Sequence, residues 1–204
     1  RAVVTLKNVE LLDPGVPPEA RRPVALLHEA DVALNWKELI DGQVVPERLN
    51  VKGLDVNLPV DAEKPERVFS TAGLNAELDL GRPGMVDIVK ADAVVQGIRV
   101  TAQGAFSIGQ GDSGDFTLTA EDMAAAREQL NQVLKYLDRV KWPEASPPSL
   151  AVNLSDDPKG GVRVGMDLQA PSLRYGKIRV RDFLFSGDYA DSVIMAKHFT
   201  MRDA

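Results

Sequence analysis

The chain has 204 residues, 44% hydrophobic and 26% charged, with a net charge of −6 and a pI near 5.0. This is a globular composition, large enough to bury a core in one or two domains. No cysteine is present, which excludes disulfides and thiol chemistry, and no basic run exists to displace counterions, so nucleic acid is not an expected partner.

Ala2, Val4, Leu6, Val9 and Leu11 predict a first strand, closed by Asp13-Pro14-Gly15 and a proline-bearing loop. Val24, Leu26, His28, Ala30, Val32 and Leu34 then alternate with Ala25, Leu27, Glu29, Asp31, Ala33 and Asn35, predicting a long half-buried strand. Asn35 to Gly42 offers an N-cap, a short apolar cluster and a terminal glycine, so a short corner helix is expected. A strand from Val44 to Val60, a plain strand from Val68 to Leu80 and a third bulged strand from Val89 through Gly97 to Phe106 follow, with Phe116 and Leu118 continuing the sheet.

Within these strands one frame recurs: apolar, polar, then Asn, Gly or Asp, then apolar, any, apolar. It centres on Asn8, Gly53, Gly97 and Asp182, at spacings of 45, 44 and 85 residues, so a repeat of about 44 residues is expected. At each centre the apolar positions change parity. A strand keeps one face buried through such a change by absorbing an extra residue as a β-bulge, and Gly, Asn and Asp tolerate the positive φ involved.

Thr119-Ala120-Glu121-Asp122 resembles a capping box, and Met123, Ala126, Leu130, Val133, Leu134, Leu137 and Val140 fall at steps of three and four. One long amphipathic helix running to Lys141 is expected, lying across the sheet as an insertion and burying Leu130, Val133, Leu134 and Leu137. After Pro147-Pro148 the alternation resumes. Leu150–Leu154 and Val162–Leu168 form a hairpin, Ile178–Tyr189 a bulged strand, and Val193–Met201 the last strand. The expected fold is mainly β, an antiparallel meander of long, twisted, bulged strands forming an open groove or a sandwich, with the helix packed on it. Its parts are residues 1–118, a helical insertion at 119–142 and a second meander at 143–204, or one continuous domain, within a longer protein.

Candidate chemistry is sparse. Gly109-Gln110-Gly111-Asp112-Ser113-Gly114 matches a dinucleotide fingerprint literally, but a strand-like segment follows where a helix is needed and Asp112 would repel phosphate. Ser113 lacks a base, since the histidines are His28, read on the apolar face of a strand, and His198. Asp112 and Asp115 supply too few oxygens for calcium, and Asp156-Asp157 sit in a turn, where Asp serves turn geometry. No catalytic, metal or cofactor site is expected, and the chain is read as not an enzyme.

The short helix Asn35 to Gly42 followed by the bulged strand ending Leu54-Asp55-Val56-Asn57-Leu58 resembles the AsmA-like family of bacterial envelope proteins, related to TamB and the repeating β-groove lipid-transfer proteins. The likeness covers residues 1 to 118 and is echoed at 149 to 204. It implies a periplasmic body of twisted sheets, anchored to the inner membrane by a segment not present here, with an apolar trough and a role in lipid transport and outer-membrane homeostasis. On that reading the protein is non-catalytic, phospholipid acyl chains are the partner, and Leu26, Val32, Leu74, Leu78, Ile98 and Val100 face lipid. The helix at Thr119 to Lys141 departs from the family pattern. The competing reading is a structural or protein-interaction β-domain with a closed core.

Overall fold

A run in which every second side chain is apolar satisfies its backbone and buries one face by joining a sheet. In the computed structural model, which describes residues 2–13, 19, 22–61, 63–107, 120–191 and 193–203, such runs build one open sheet of eleven strands among the described residues. They are β1 (Ala2–Leu12), β2 (Pro23–Leu34), β3 (Pro46–Pro59), β4 (Val68–Asp79), β5 (Met85–Val95), β6 (Ile98–Ser107), β7 (Val140–Lys141), β8 (Ser149–Asp156), β9 (Val162–Tyr175), β10 (Ile178–Ala190) and β11 (Val193–Asp203). The order is β1-β2-β3-β4-β5-β6-β8-β9-β10-β11, with the two-residue β7 pairing β9 off this path. Neighbours are antiparallel except β6 and β8, which run parallel from Arg99 and Ser149 to Gly104 and Leu154. A parallel pair needs a crossover of a dozen residues or more, and the chain between Ser107 and Ser149 provides it. The sheet is therefore continuous across the expected insertion.

All four expected pivots have positive φ: 52° at Asn8, 69° at Gly53, 78° at Gly97 and 50° at Asp182. Three lie inside strands. Gly97 does not, because it joins Gln96 (φ 51°) in a two-residue turn between Val95 and Ile98. Two consecutive positive-φ residues match the twist of a hairpin, so the expected third bulged strand is instead the hairpin β5–β6. Its bulge falls at Val89-Lys90, opposite Gln103.

The parity change works as the frame requires. Val51 and Leu54, three apart in β3, oppose Ala76 and Leu74, two apart in β4, and so share a face. Ala30 and Leu27 of β2, and Leu6 and Val9 of β1, make the same step in register with them. The result is a crease crossing β1 to β4. Where the ladder lapses, side-chain oxygens replace it: the Gly53 N–H donates to Asn75 Oδ1 at 3.1 Å and the Gly73 N–H to Asp55 Oδ1 at 2.7 Å.

The corner helix α1 (Trp36–Ile40) forms as expected, with the Asn35 side chain accepting from the Lys37 and Glu38 N–H groups. The long helix α2 (Ala120–Leu137) ends before the expected Lys141, because Val140 and Lys141 pair with Tyr175 and Arg174 instead. Nor does it lie across the sheet. It touches β4 and β7, while Arg127 pairs with Asp13 just after β1 and Asp138 with Arg67 just before β4. Three strand spacings span about 14 Å and eleven helical residues about 16 Å, so the helix runs along the ends of β1 to β4. A rim of strand ends accommodates a narrow stripe of side chains. Leu134 is buried and Leu130 and Leu137 half-buried, whereas Val133, expected inside, is 48% exposed. Gly109 to Thr119, including Asp112, Ser113, Asp115, Phe116 and Leu118, lies outside the described residues.

Candidate functional site: an open aliphatic trough

Cross-strand partners stand on the same face of a sheet, so the registers define transverse rows. One row crosses the whole path as Leu6, Ala30, Val51, Ala76, Ala91, Ala102, Val152, Met166, Gly187 and Ala196. Small residues occupy six of these ten positions. On one side runs a row of larger residues through Val32, Leu49, Leu78 and Ile88, interrupted at Gly104 and resuming at Leu154 and Val164. On the other side Leu27, Leu54 and Leu74 face Val9, and Val100, Leu150, Leu168 and Phe185 follow beyond β5. A low floor between two higher walls is a trough running perpendicular to the strands. From Leu27 to Val32 its walls stand about 17 Å apart along β2, and nine strand spacings give it a length of about 43 Å.

Among the described residues no second layer fills the trough. No described side chain falls below 2% exposure, and the buried hydrophobics are few and mostly small. The accessible surface is 13800 Å², whereas a compact monomer of 22.1 kDa exposes about 9,300 Å². Ala30 is nonetheless only 3% exposed, shielded by the larger residues flanking it.

The opposite face is ionic. Lys52 Nζ donates to Glu29 Oε1 at 2.5 Å and approaches Asp31 at 3.4 Å, and Lys7 meets Glu29 at 3.2 Å. The two lysines hold the Glu29 carboxyl below its ordinary range, and the Thr5 hydroxyl does the same for Asp31. Along the crease, His28 Nε2 lies 3.3 Å from Asp55 Oδ2, and Asn75 Nδ2 donates to Asp92 at 3.1 Å. The Asp55 carboxyl is lowered first by the Gly73 N–H and then by His28.

Of the residues expected to face lipid, Val32 and Leu78 lie in one wall and Leu74 and Val100 in the other. Ile98 pairs with Val95 at the end of the same face, in line with Thr71, Val56 and Ala25. Leu26 is a correction. It pairs with Glu10 and Asp55, on the face opposite the trough. His28 is likewise not on the apolar face, since it is exposed beside Asp55, where a Cβ on Gly53 would come within 2.8 Å of its ring. β2 crosses the crease without a positive-φ residue, so its alternation reads as unbroken in sequence although its facing changes.

Asp156 accepts from the Ser107 N–H and hydroxyl at 2.6 and 2.9 Å, and Asp157 accepts from the Lys159 N–H and from Arg163. Both thus fix turn and strand ends, the role expected for that turn. Among the described residues no three acidic or histidine side chains are grouped to hold a metal, and no helix is long and apolar enough to cross a membrane. The alanine floor was missed in sequence because it exists only once register is known; its one signal is an Ala within several of the alternating runs. Comparison with family models, with curated proteins and with solved structures returns no match to the chain.

Proposed function

We propose that this chain is a non-catalytic segment of a lipid conduit of the AsmA-like kind, its trough seating phospholipid acyl chains within a bacterial envelope protein anchored to the inner membrane. The observation that carries the reading is the aliphatic floor that crosses all ten strands of the path, flanked by walls that drop only at Ala93 and Gly104 and left uncovered by α2. Hydrocarbon suits such a surface, because burying each methylene is worth about 0.8 kcal/mol and the trough asks for no polar partner. A leaflet's chains span about half of a 30 Å hydrocarbon core, so a 43 Å trough exceeds the length of one acyl chain more than twofold. Its floor lies along the direction of transfer, with headgroups left at the rim.

Photoreactive residues at Leu74 and Val100 of the intact protein, irradiated in cells, should form adducts with phospholipid, while one at Glu77 on the ionic face should not. Filling the floor with Ala102→Trp should lower the adduct yield. Crosslinks from both trough positions exclusively to protein would overturn the conduit.

A further inference from the structure

Six cations from two short stretches meet at one corner of the sheet. Arg139 and Lys141 follow α2, and Arg174, Lys177, Arg179 and Arg181 fall in and around the β9–β10 turn. Neither stretch contains an acidic residue, although the chain's net charge is −6. β7 sets Lys141 opposite Arg174, and β10 sets Arg179 opposite Arg174 on its other side. Three like charges therefore stand in one transverse row about 10 Å long, with Arg181 two residues along on the same face. Like charges directly opposite one another destabilise a sheet, and the nearest carboxylates in sequence do not relieve this row. Asp138 is taken by Arg67, and Asp182 by Arg202 at 3.5 Å. Among the described residues none of the six cations is ion-paired, and all six are exposed.

The other face of the same hairpin is apolar. Tyr175 pairs with Ile178 and Val140, on the side opposite Arg174 and Arg179, and Tyr175 and Ile178 are 52% and 62% exposed. Across Asp182 the parity step seen at Gly53 puts Val180 and Phe183 on one face, so this apolar surface continues into the trough. Gly176, at φ 58°, and Lys177 close the turn in two residues and keep the tip narrow. Such a tip matches the boundary of an anionic bilayer, where Tyr sits at headgroup depth, Ile reaches the acyl region and cations meet phosphates. A soluble polyanion would satisfy the cations but gain nothing from Ile178. Both strands of the hairpin lie inside the sheet, β9 between β8 and β10, and β10 between β9 and β11.

We propose that the β9–β10 tip docks this chain onto an anionic phospholipid surface, through the cations on one face and Tyr175 and Ile178 on the other. Docking of this kind does not require that the trough hold acyl chains.

The full chain should cosediment with vesicles of phosphatidylcholine and phosphatidylglycerol but not with vesicles of phosphatidylcholine alone, and salt should weaken the binding. Arg174→Gln and Arg179→Gln should each weaken it about fivefold, while Lys37→Gln, on α1 at the opposite rim, should not. Arg179→Gln should also melt no lower than the parent, because it relieves repulsion along the row. The chain has no cysteine, so a single environment-sensitive fluorophore can be placed at will. At Ile178→Cys its emission should shift to the blue on the mixed vesicles, and at Ile40→Cys, 69% exposed on α1, it should not. Ala102→Trp, which fills the trough floor, should leave vesicle binding unchanged, so this result is separable from the crosslinking at Leu74 and Val100. No binding to the mixed vesicles, equal loss with Lys37→Gln, or heparin binding without a blue shift at Ile178→Cys would overturn the proposal.

Discussion

Gly104→Ala is expected to be the most damaging single methyl group in this chain. Gly104 sits at φ 126°, where a Cβ would fall 2.0 Å from the Leu154 carbonyl oxygen and 2.7 Å from its nitrogen. Both are backbone atoms of β8, so no side chain can swing aside. Relief requires β6 and β8 to separate by more than 1 Å at the last pair of their parallel ladder. The backbone strain is worth about 1–3 kcal/mol, and one or two lost ladder bonds add about 0.5–1.5 kcal/mol each. The total, about 2–6 kcal/mol, is a large part of the 5–15 kcal/mol typical of a domain. Gly73→Ala is the matched control: its φ of 61° is also positive, but nothing lies within 4 Å of the new Cβ, so it should cost only about 1–2 kcal/mol. Urea unfolding followed by circular dichroism reads both. Equal midpoints for the two variants would show that β6 and β8 do not approach as closely as described.

Leu134→Ala should cost about 2–5 kcal/mol, whereas Val133→Ala, one residue away but 48% exposed, should stay within about 0.5 kcal/mol; similar losses in thermal unfolding would refute the placement of α2 along the strand ends. Gly97→Val, at φ 78° in the β5–β6 turn, should cost about 1–3 kcal/mol, and a loss of only a few tenths in the same assay would show that the turn tolerates a β-branched residue. Asp55 has a lowered folded-state pKa, so its contribution is present above the unfolded value near 4 and is lost as pH falls through the folded value. Melting temperatures of Asp55→Asn and the parent should therefore converge below about pH 4, and a constant gap down to pH 2 would remove the carboxylate from the account.

The strands were legible because alternation is a local property. Leu49, Val51, Leu54 and Val56 announce both a strand and its parity change, and Gly53 supplies the conformation that the change needs. The cap at Asn35 was legible for the same reason. What escaped depends on partners. The facing of Leu26 and His28 is set by Asn8 and Gly53 in the neighbouring strands, not by any residue of β2. Gln96 gives no hairpin signal of its own, and only the pairing of Val95 with Ile98 reveals the turn. The periodicity of α2 showed that it has a face, but its resting place depends on Arg127 reaching Asp13 and Arg67 reaching Asp138, contacts 114 and 71 residues apart. The trough walls were partly visible as Leu and Val runs, while the floor emerged only from register.

Sequential strand order has a consequence for how the molecule folds. Eight of the nine neighbouring pairs along the path join strands consecutive in the chain, the exception being β6 with β8. Loop-closure entropy is small for such hairpins, so β1–β6 and β8–β11 can each zip from a local nucleus, whereas joining them must await closure of a far longer loop. Refolding should therefore show a fast phase of strand formation in both halves and a slower docking phase, with Gly104→Ala slowing only the second. A single phase, slowed as a whole by that substitution, would mean that the two halves nucleate together.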